Sequence, residues 1–260
     1  MKNLHFSYDM HIEYSIDVSK CSFTIKCIPQ SNCRQSISNI KIRLAPETDY
    51  QTGKDGLSNF QIYGCNNLPH KTFDFHVEGD AVTGLSEYED SVSYESSLIF
   101  AYPHGLNIAG EKIRSFYKSI DLPSEGTASE KTVLIMDLLN KSFCYKPLIT
   151  NVNTSAEEAF VLGHGVCQDY AHILISLLHL AGIPARYVTG FLIGEGASHA
   201  WVEILDNGKW IGFDPTNNTK VCDNHIKIGV GRDARDCMIN RGVMHGGGLH
   251  TQTVKVVVSE

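Results

Sequence analysis

Hydrophobic and polar residues alternate along much of the first hundred positions. Phe23-Thr24-Ile25-Lys26-Cys27-Ile28, Ile40-Lys41-Ile42-Arg43-Leu44 and Phe73-Asp74-Phe75-His76-Val77 each place apolar side chains at every second position. Successive side chains of a strand point to opposite faces, so this period predicts strands with one face buried. Gln51-Thr52-Gly53-Lys54-Asp55-Gly56 and Gly64-Cys65-Asn66-Asn67-Leu68-Pro69 separate them as loops. Residues 1–104 are therefore expected to form an antiparallel, β-sandwich-like N-terminal domain.

The period changes near Tyr102-Pro103-His104-Gly105. Within 111–120, Ile113, Phe116, Tyr117 and Ile120 fall on one helical face, and 130–143 reads as a second, mostly apolar helix. Ser155 with Glu158 makes a capping box for a short third helix, which Gly163 ends. A longer helix follows over 166–181, with Ala171, Leu174, Ile175 and Leu178 as its buried stripe and Gly182 and Pro184 as its stop. Strand patterns return over 185–193, 199–205, 209–213 and 254–258. Helices packed on an antiparallel sheet make 105–260 a second domain and the whole an α+β fold.

Bulk properties narrow the function. The 260 residues carry 22 basic and 29 acidic side chains, a formal net charge of -7 without a Lys/Arg stripe, so no nucleic acid partner is expected. The N-terminus lacks the apolar core of a signal peptide, and no window approaches the roughly 20 apolar residues of a membrane span. The expectation is a cytoplasmic protein with no membrane partner; its oligomeric state is left open. Eight cysteines occur at 21, 27, 33, 65, 144, 167, 222 and 237. There is no Cys-x-x-Cys or His-x-x-x-His pair, so reduced thiols in or near cores are expected rather than a disulfide framework or a zinc site. No metal or cofactor is expected.

Three short segments carry the chemistry. In Gly165-Val166-Cys167-Gln168-Asp169-Tyr170-Ala171 the thiol of Cys167 falls in the first turn of the fourth helix. Unpaired N–H groups and the positive end of the helix dipole favour a thiolate there and can hold an oxyanion. In Ser198-His199-Ala200-Trp201-Val202-Glu203, residues His199, Trp201 and Glu203 share one strand face. Asn207-Gly208 predicts a two-residue hairpin turn, which makes paired positions sum to 415. Trp201 then lies opposite Asp214 and His199 opposite Thr216, with His199 and Asp214 on one diagonal of roughly 7–8 Å. A thiol, an imidazole and an orienting carboxylate are the parts that cysteine nucleophilic catalysis requires.

From Phe143 to Asn217 the chain resembles the transglutaminase-like superfamily, a papain-related cysteine enzyme fold. The carrying residues are 165–171, Gly182-Ile183-Pro184-Ala185-Arg186-Tyr187-Val188, 198–203 and Phe213-Asp214-Pro215-Thr216-Asn217. The match is nearest to bacterial transglutaminase-like proteins described as cysteine proteases, with an N-terminal β domain and a Gly-Arg-Asp segment similar to 231–236. The resemblance implies Cys167 as nucleophile, His199 as general base and then acid, and Asp214 as the orienter of the imidazole. It implies a peptide or protein amide as substrate. The chain departs from the pattern at Ala234 and Met238-Ile239. Animal transglutaminases place an oxyanion-stabilising tryptophan upstream of the thiol, whereas Trp201 and Trp210 lie downstream; Tyr145 or Gln168 are the alternatives here. Trp201 is expected to shield the His–Asp bond. Asp169 is expected to point away from the thiol, paired with Arg186 or Arg232. No calcium-loop pattern occurs, which favours hydrolysis over protein crosslinking. The competing reading is a non-catalytic binding protein whose N-terminal sandwich captures a partner.

Overall fold

The computed structural model describes residues 1–90 and 97–260, so the part of the expected N-terminal β region at 91–96 lies outside the described residues. The strands are β1 (Lys2–Ile25), β2 (Gln35–Ala45), β3 (Tyr50–Lys54), β4 (Phe60–Asn66), β5 (His70–Thr83), β6 (Tyr88–Asp90), β7 (Cys144–Tyr145), β8 (His164–Gly165), β9 (Ala185–Leu192), β10 (Gly194–Gly196), β11 (His199–Asp206), β12 (Lys209–Asp214), β13 (Thr219–Lys220), β14 (His225–Gly231), β15 (Asn240–Gly246) and β16 (His250–Ser259). Among the described residues the α-helices are α1 (Glu111–Ser119), α2 (Ala128–Ser142), α3 (Ala156–Leu162) and α4 (Cys167–Leu180). The fold is α+β, with mostly antiparallel strands in curled sheets.

The first sheet is organised by β1. Leu4, Phe6, Tyr8, Met10, Ile12 and Tyr14 point into its core, and the residues between them face outward. The N-terminal half of β1 pairs with β5 on one side and β16 on the other; its C-terminal half pairs with β4 and β15. The sheet therefore includes the end of the chain. Residues 250–259, grouped by pattern with the later strands, instead cover what would otherwise be an open edge of β1, and exposed edges are costly. A single cut at residue 104 does not separate the two sheets. The turn between β15 and β16 is a glycine run, with Gly246, Gly247 and Gly248 at φ 91, 84 and 61°.

The second sheet runs β13-β12-β11-β9-β14, with β6 on β12. The hairpin register holds as expected, from Asp206 opposite Lys209 to Val202 opposite Phe213, with Asn207 and Gly208 at positive φ. This sheet curls strongly. His225 on β14 and Asp214 on β12 would stand about three strand spacings apart on a flat sheet, roughly 14 Å, yet their side chains touch at 3.2 Å.

Helix α4 packs against β9 and β11, and its predicted stripe is fully buried. The helix is buried all round rather than along one stripe, because Ile113 of α1, Ile135 and Leu139 of α2 and Ala159 of α3 enclose its other faces. Phe191 on β9 stacks on Tyr8 with ring centroids 5.9 Å apart, joining the two sheets. The free edge of β14 is finished by side chains of the N-terminal region. Gln35 bonds to the N–H and C=O of Lys227, and Asn59 bonds to those of Val230. Of the cysteines, Cys21, Cys27 and Cys237 are core residues, whereas Cys33, Cys65, Cys144 and Cys222 are exposed on outward strand positions and turns. Among the described residues no helix is long and apolar enough to cross a membrane.

Gly190 of β9 is required by Trp201. A Cβ there would lie 2.3 Å from the Trp201 ring and 2.3 Å from the Ile226 carbonyl. Gly190→Ala should destabilise the protein by about 3 kcal/mol, read as a lowered urea midpoint; a change under about 1 kcal/mol would show that the ring has room to move.

Candidate active site

The thiol is positioned by a strand-to-helix turn. Gly163 ends α3 in the left-handed region at φ 71°, with the Ser155–Glu158 capping box at the other end of that helix. The two-residue strand β8 then pairs in parallel with β7, so Tyr145 lies beside Gly165. Val166 caps α4 and Cys167 is its first helical residue. The first full-length helical bond runs from the Tyr170 N–H to the Val166 carbonyl. The N–H groups of Cys167 and Gln168 thus have no acceptor within the helix.

Asp169 locks this turn. Its Oδ2 accepts from the Val166 N–H at 2.8 Å and the Thr150 hydroxyl at 2.6 Å, and the side chain is buried. Burial pushes its carboxyl up from the ordinary value, against those two hydrogen bonds. Neither arginine expected beside it is there. Arg186 binds Glu203 and Glu89, and Arg232 binds Asp236. The backbone of its own helix entry is simply nearer than any cation.

His199 opens β11 and Asp214 closes β12, and they meet along the expected diagonal. His199 Nε2 lies 2.8 Å from Asp214 Oδ2. With Nε2 committed to the carboxylate, Nδ1 is the ring nitrogen left for the thiol, and Cys167 lies near enough to act on the charge of the ring. Burial works against a charged ring, but the bond to Asp214 and the nearby Cys167 outweigh it and raise the imidazole to about 10.

Asp214 itself is wholly buried and saturated with donors. Its Oδ1 accepts the N–H groups of Thr216 and Asn217, and its Oδ2 accepts Asn217 Nδ2 at 2.7 Å as well as His199. The Asp-Pro-Thr-Asn turn therefore holds the carboxylate with its own backbone. Burial opposes ionisation, yet the bonds from His199 and His225 hold the carboxyl well below its usual range.

Trp201, one register step beyond the Val202–Phe213 pair, packs beside His199 with centroids 6.2 Å apart. Tyr145 is close enough for the Cys167 charge to act on it; burial first, and that charge second, raise its phenol. Gln168 instead reaches the Val152 carbonyl at 3.4 Å. Two residues escaped the reading of motifs. Tyr187 is buried near Cys167 and packs at a tilt against His172 with ring centroids 5.2 Å apart, and His225 touches Asp214. Only the curl of the sheet brings His225 there.

His199, Asp214 and His225 bring one ligand atom each within 4.8 Å of one another, a donor set of the kind that binds divalent metal. The Cys222 N–H, however, donates to His225 Nδ1 at 3.4 Å. The ring proton is thereby left on Nε2, and a protonated nitrogen offers no lone pair to a cation. The triplet does not fit a metal.

Replacing the carboxylate tests this electrostatic pair. The His199 contribution, with a raised value, is complete below about pH 6.5 and lost as pH rises through about 10. The Asp214 contribution, with a depressed value, is complete above the ordinary carboxyl range of about 4 and lost as pH falls below it. Asp214→Asn should therefore cost on the order of 3 kcal/mol near pH 7. The gap between variant and parent in thermal midpoint should close above about pH 10; a gap independent of pH would mean the pair carries no charge.

Residues 116–215 match the family model described as the transglutaminase-like superfamily. An uncharacterized protein of Mycobacterium leprae is 38% identical over 125 residues, which is 44% of this chain and 44% of that protein. An uncharacterized protein of Mycobacterium tuberculosis is 26% identical over 251 residues, covering 84% of this chain and 79% of the relative. Among solved structures, a proposed cysteine protease from Cytophaga hutchinsonii superimposes with a TM-score of 0.82 at 20% identity, over 99% of this chain and 90% of that one, so the two share a fold. Residues 116–215 are thus similar to the transglutaminase-like superfamily, and the chain as a whole shares the fold of the Cytophaga hutchinsonii protein.

Proposed function

We propose that the protein is a cysteine-dependent enzyme that transfers the acyl group of an amide, with Cys167 as nucleophile, His199 as base and acid, and Asp214 as orienter. One observation carries the reading. The His199 ring is bound through Nε2 to a buried carboxylate at 2.8 Å, and Cys167, the first residue of a helix, lies near enough for its charge to raise the ring. That is the arrangement of a nucleophile, its base and the group that sets the base.

The chemistry runs in two steps. The Cys167 sulfur attacks the amide carbonyl carbon, and the C=O electron pair moves onto oxygen beside the N–H groups of Cys167 and Gln168. Tyr145, on the strand next to Gly165, is the side chain favoured to add a hydroxyl donor, since the Gln168 amide is held by Val152. As the tetrahedral species collapses, the C–N bond breaks and the His199 Nδ1 proton passes to the leaving amine, leaving a thioester. His199 then takes a proton from water, the oxygen bonds to the acyl carbon, and the C–S bond breaks to give a carboxylic acid. A second amine in place of water gives a new amide. The substrate class is a peptide or protein amide, and hydrolysis is the favoured outcome.

Two measurements test this reading. Because His199 keeps its proton across the neutral range, iodoacetamide should label Cys167 at rates that differ less than about threefold between pH 6 and 8. A free thiol with a value of roughly 8.5 would slow nearly a hundredfold over that interval. A hundredfold slowing at Cys167 would dissolve the proposed pair. A peptide library read by mass spectrometry should show cleavage or ligation that Cys167→Ala abolishes while leaving the thermal midpoint within a few degrees. Undiminished turnover by that variant would rule the mechanism out, and a library left intact by the parent would favour the binding-protein reading.

A further inference from the structure

His225 stands outside the Cys167–His199–Asp214 set, yet it is buried beside it. Its Nε2 is 3.2 Å from Asp214 Oδ2, the oxygen that also takes the His199 proton at 2.8 Å. Its Nδ1 faces the turn before β14 and accepts the Cys222 N–H at 3.4 Å, with the Cys222 sulfur 3.7 Å away. The ring proton therefore points at Asp214. Around the ring lie Asp214 from β12, His199 and Trp201 from β11, and Cys222. Arg34 and Lys227 line the small cavity on its far side.

One carboxylate oxygen thus serves two imidazole donors. Asn217 Nδ2 donates to the same oxygen; each added donor makes the acceptor a weaker base and holds it from a further direction. The first effect limits how tightly Asp214 binds the His199 imidazolium. The second keeps the carboxylate from rotating when the His199 proton leaves. A ring that merely filled the mouth of the curled sheet would need neither the tautomer that the Cys222 N–H imposes nor the contact with Asp214.

We propose that His225 is a positioning residue for the acyl-transfer site, donating its Nε2–H to Asp214 so that the carboxylate orients His199 without retaining its proton too firmly. The proposal rests on the reading of Cys167, His199 and Asp214 given above.

Nitrogen-15 NMR of histidine-labelled full-length protein tests it. In the parent protein, the neutral ring of His225 should carry its proton on Nε2 and leave Nδ1 unprotonated. His225→Asn ends its amide near the Nδ1 position and cannot reach Asp214, whereas His225→Gln places an N–H near the Nε2 position. At a fixed pH near the His199 midpoint, the Asn variant should raise the ratio of imidazolium to imidazole at His199 at least threefold. The Gln variant should return that ratio to within about 1.5-fold of the parent, because it restores the donor. A His225 proton on Nδ1 would overturn the proposal, as would an unmoved His199 ratio in a folded Asn variant. If the Asn variant does not fold, the tautomer in the parent decides. Slow, strongly pH-dependent labelling of Cys167 would instead defeat the acyl-transfer reading, and it leaves the tautomer and the His199 ratio as they are, so the two failures are distinguishable.

Discussion

Two carboxylates buried inside one curled sheet constrain everything around them. Asp214 and Glu203 are both fully enclosed, and an unpaired charge in such a place would cost several kcal/mol. Each is answered by its own set of donors. Glu203 is gripped by Arg186 at 2.7 Å and Lys227 at 2.9 Å. Burial opposes its ionisation, but those cations bring it down to about 2. Among the described residues no Lys or Arg pairs with Asp214; amide and imidazole N–H groups do the work instead. The two ends of the inner face therefore differ in kind. Around Glu203 the charges neutralise one another permanently, while at Asp214 the compensating charge is a proton that can leave.

β11 joins these two ends. Its inward residues His199, Trp201 and Glu203 run from the open site to the closed ion network, and Trp201 sits between them against Gly190. Arg186 pairs with Glu203 across the ladder and also stacks over Trp210 with its carbon 4.2 Å from the ring. A strand anchored at one end by salt bridges and in the middle by a large aromatic holds the imidazole at its other end with little freedom. The thiol arrives from a different layer. Its place is set by a left-handed glycine, a two-residue strand and the Asp169 lock on the helix entry. α4 packs on the other face of β11, through Ala200, Val202 and Ile204, and so brings its first residue to the end of the strand that His199 opens.

The first sheet reinforces this geometry from outside. Phe191 carries the outer face of β9 into the core built by Phe6 and Tyr8, and the amides of Gln35 and Asn59 complete the edge of β14. The strand that bears His225 is thereby held between the two sheets.

Much of this was legible in the residues themselves. Period-two alternation marks β1, β2 and β5, the Asn207-Gly208 pair sets the register of β11 against β12, and capping residues delimit α3 and α4, because these are local steric and hydrogen-bonding preferences. The diagonal between His199 and Asp214 followed from the same hairpin arithmetic. What the chain alone left undecided depends on distant segments meeting. The return of residues 240–259 to β1, the enclosure of α4 on every side, the choice of Glu203 rather than Asp169 as the partner of Arg186, and the approach of His225 to Asp214 are all of this sort. Local pattern determines which face of a strand is apolar, but the curl of a sheet, and hence which buried polar groups satisfy one another, is decided only when the whole core closes.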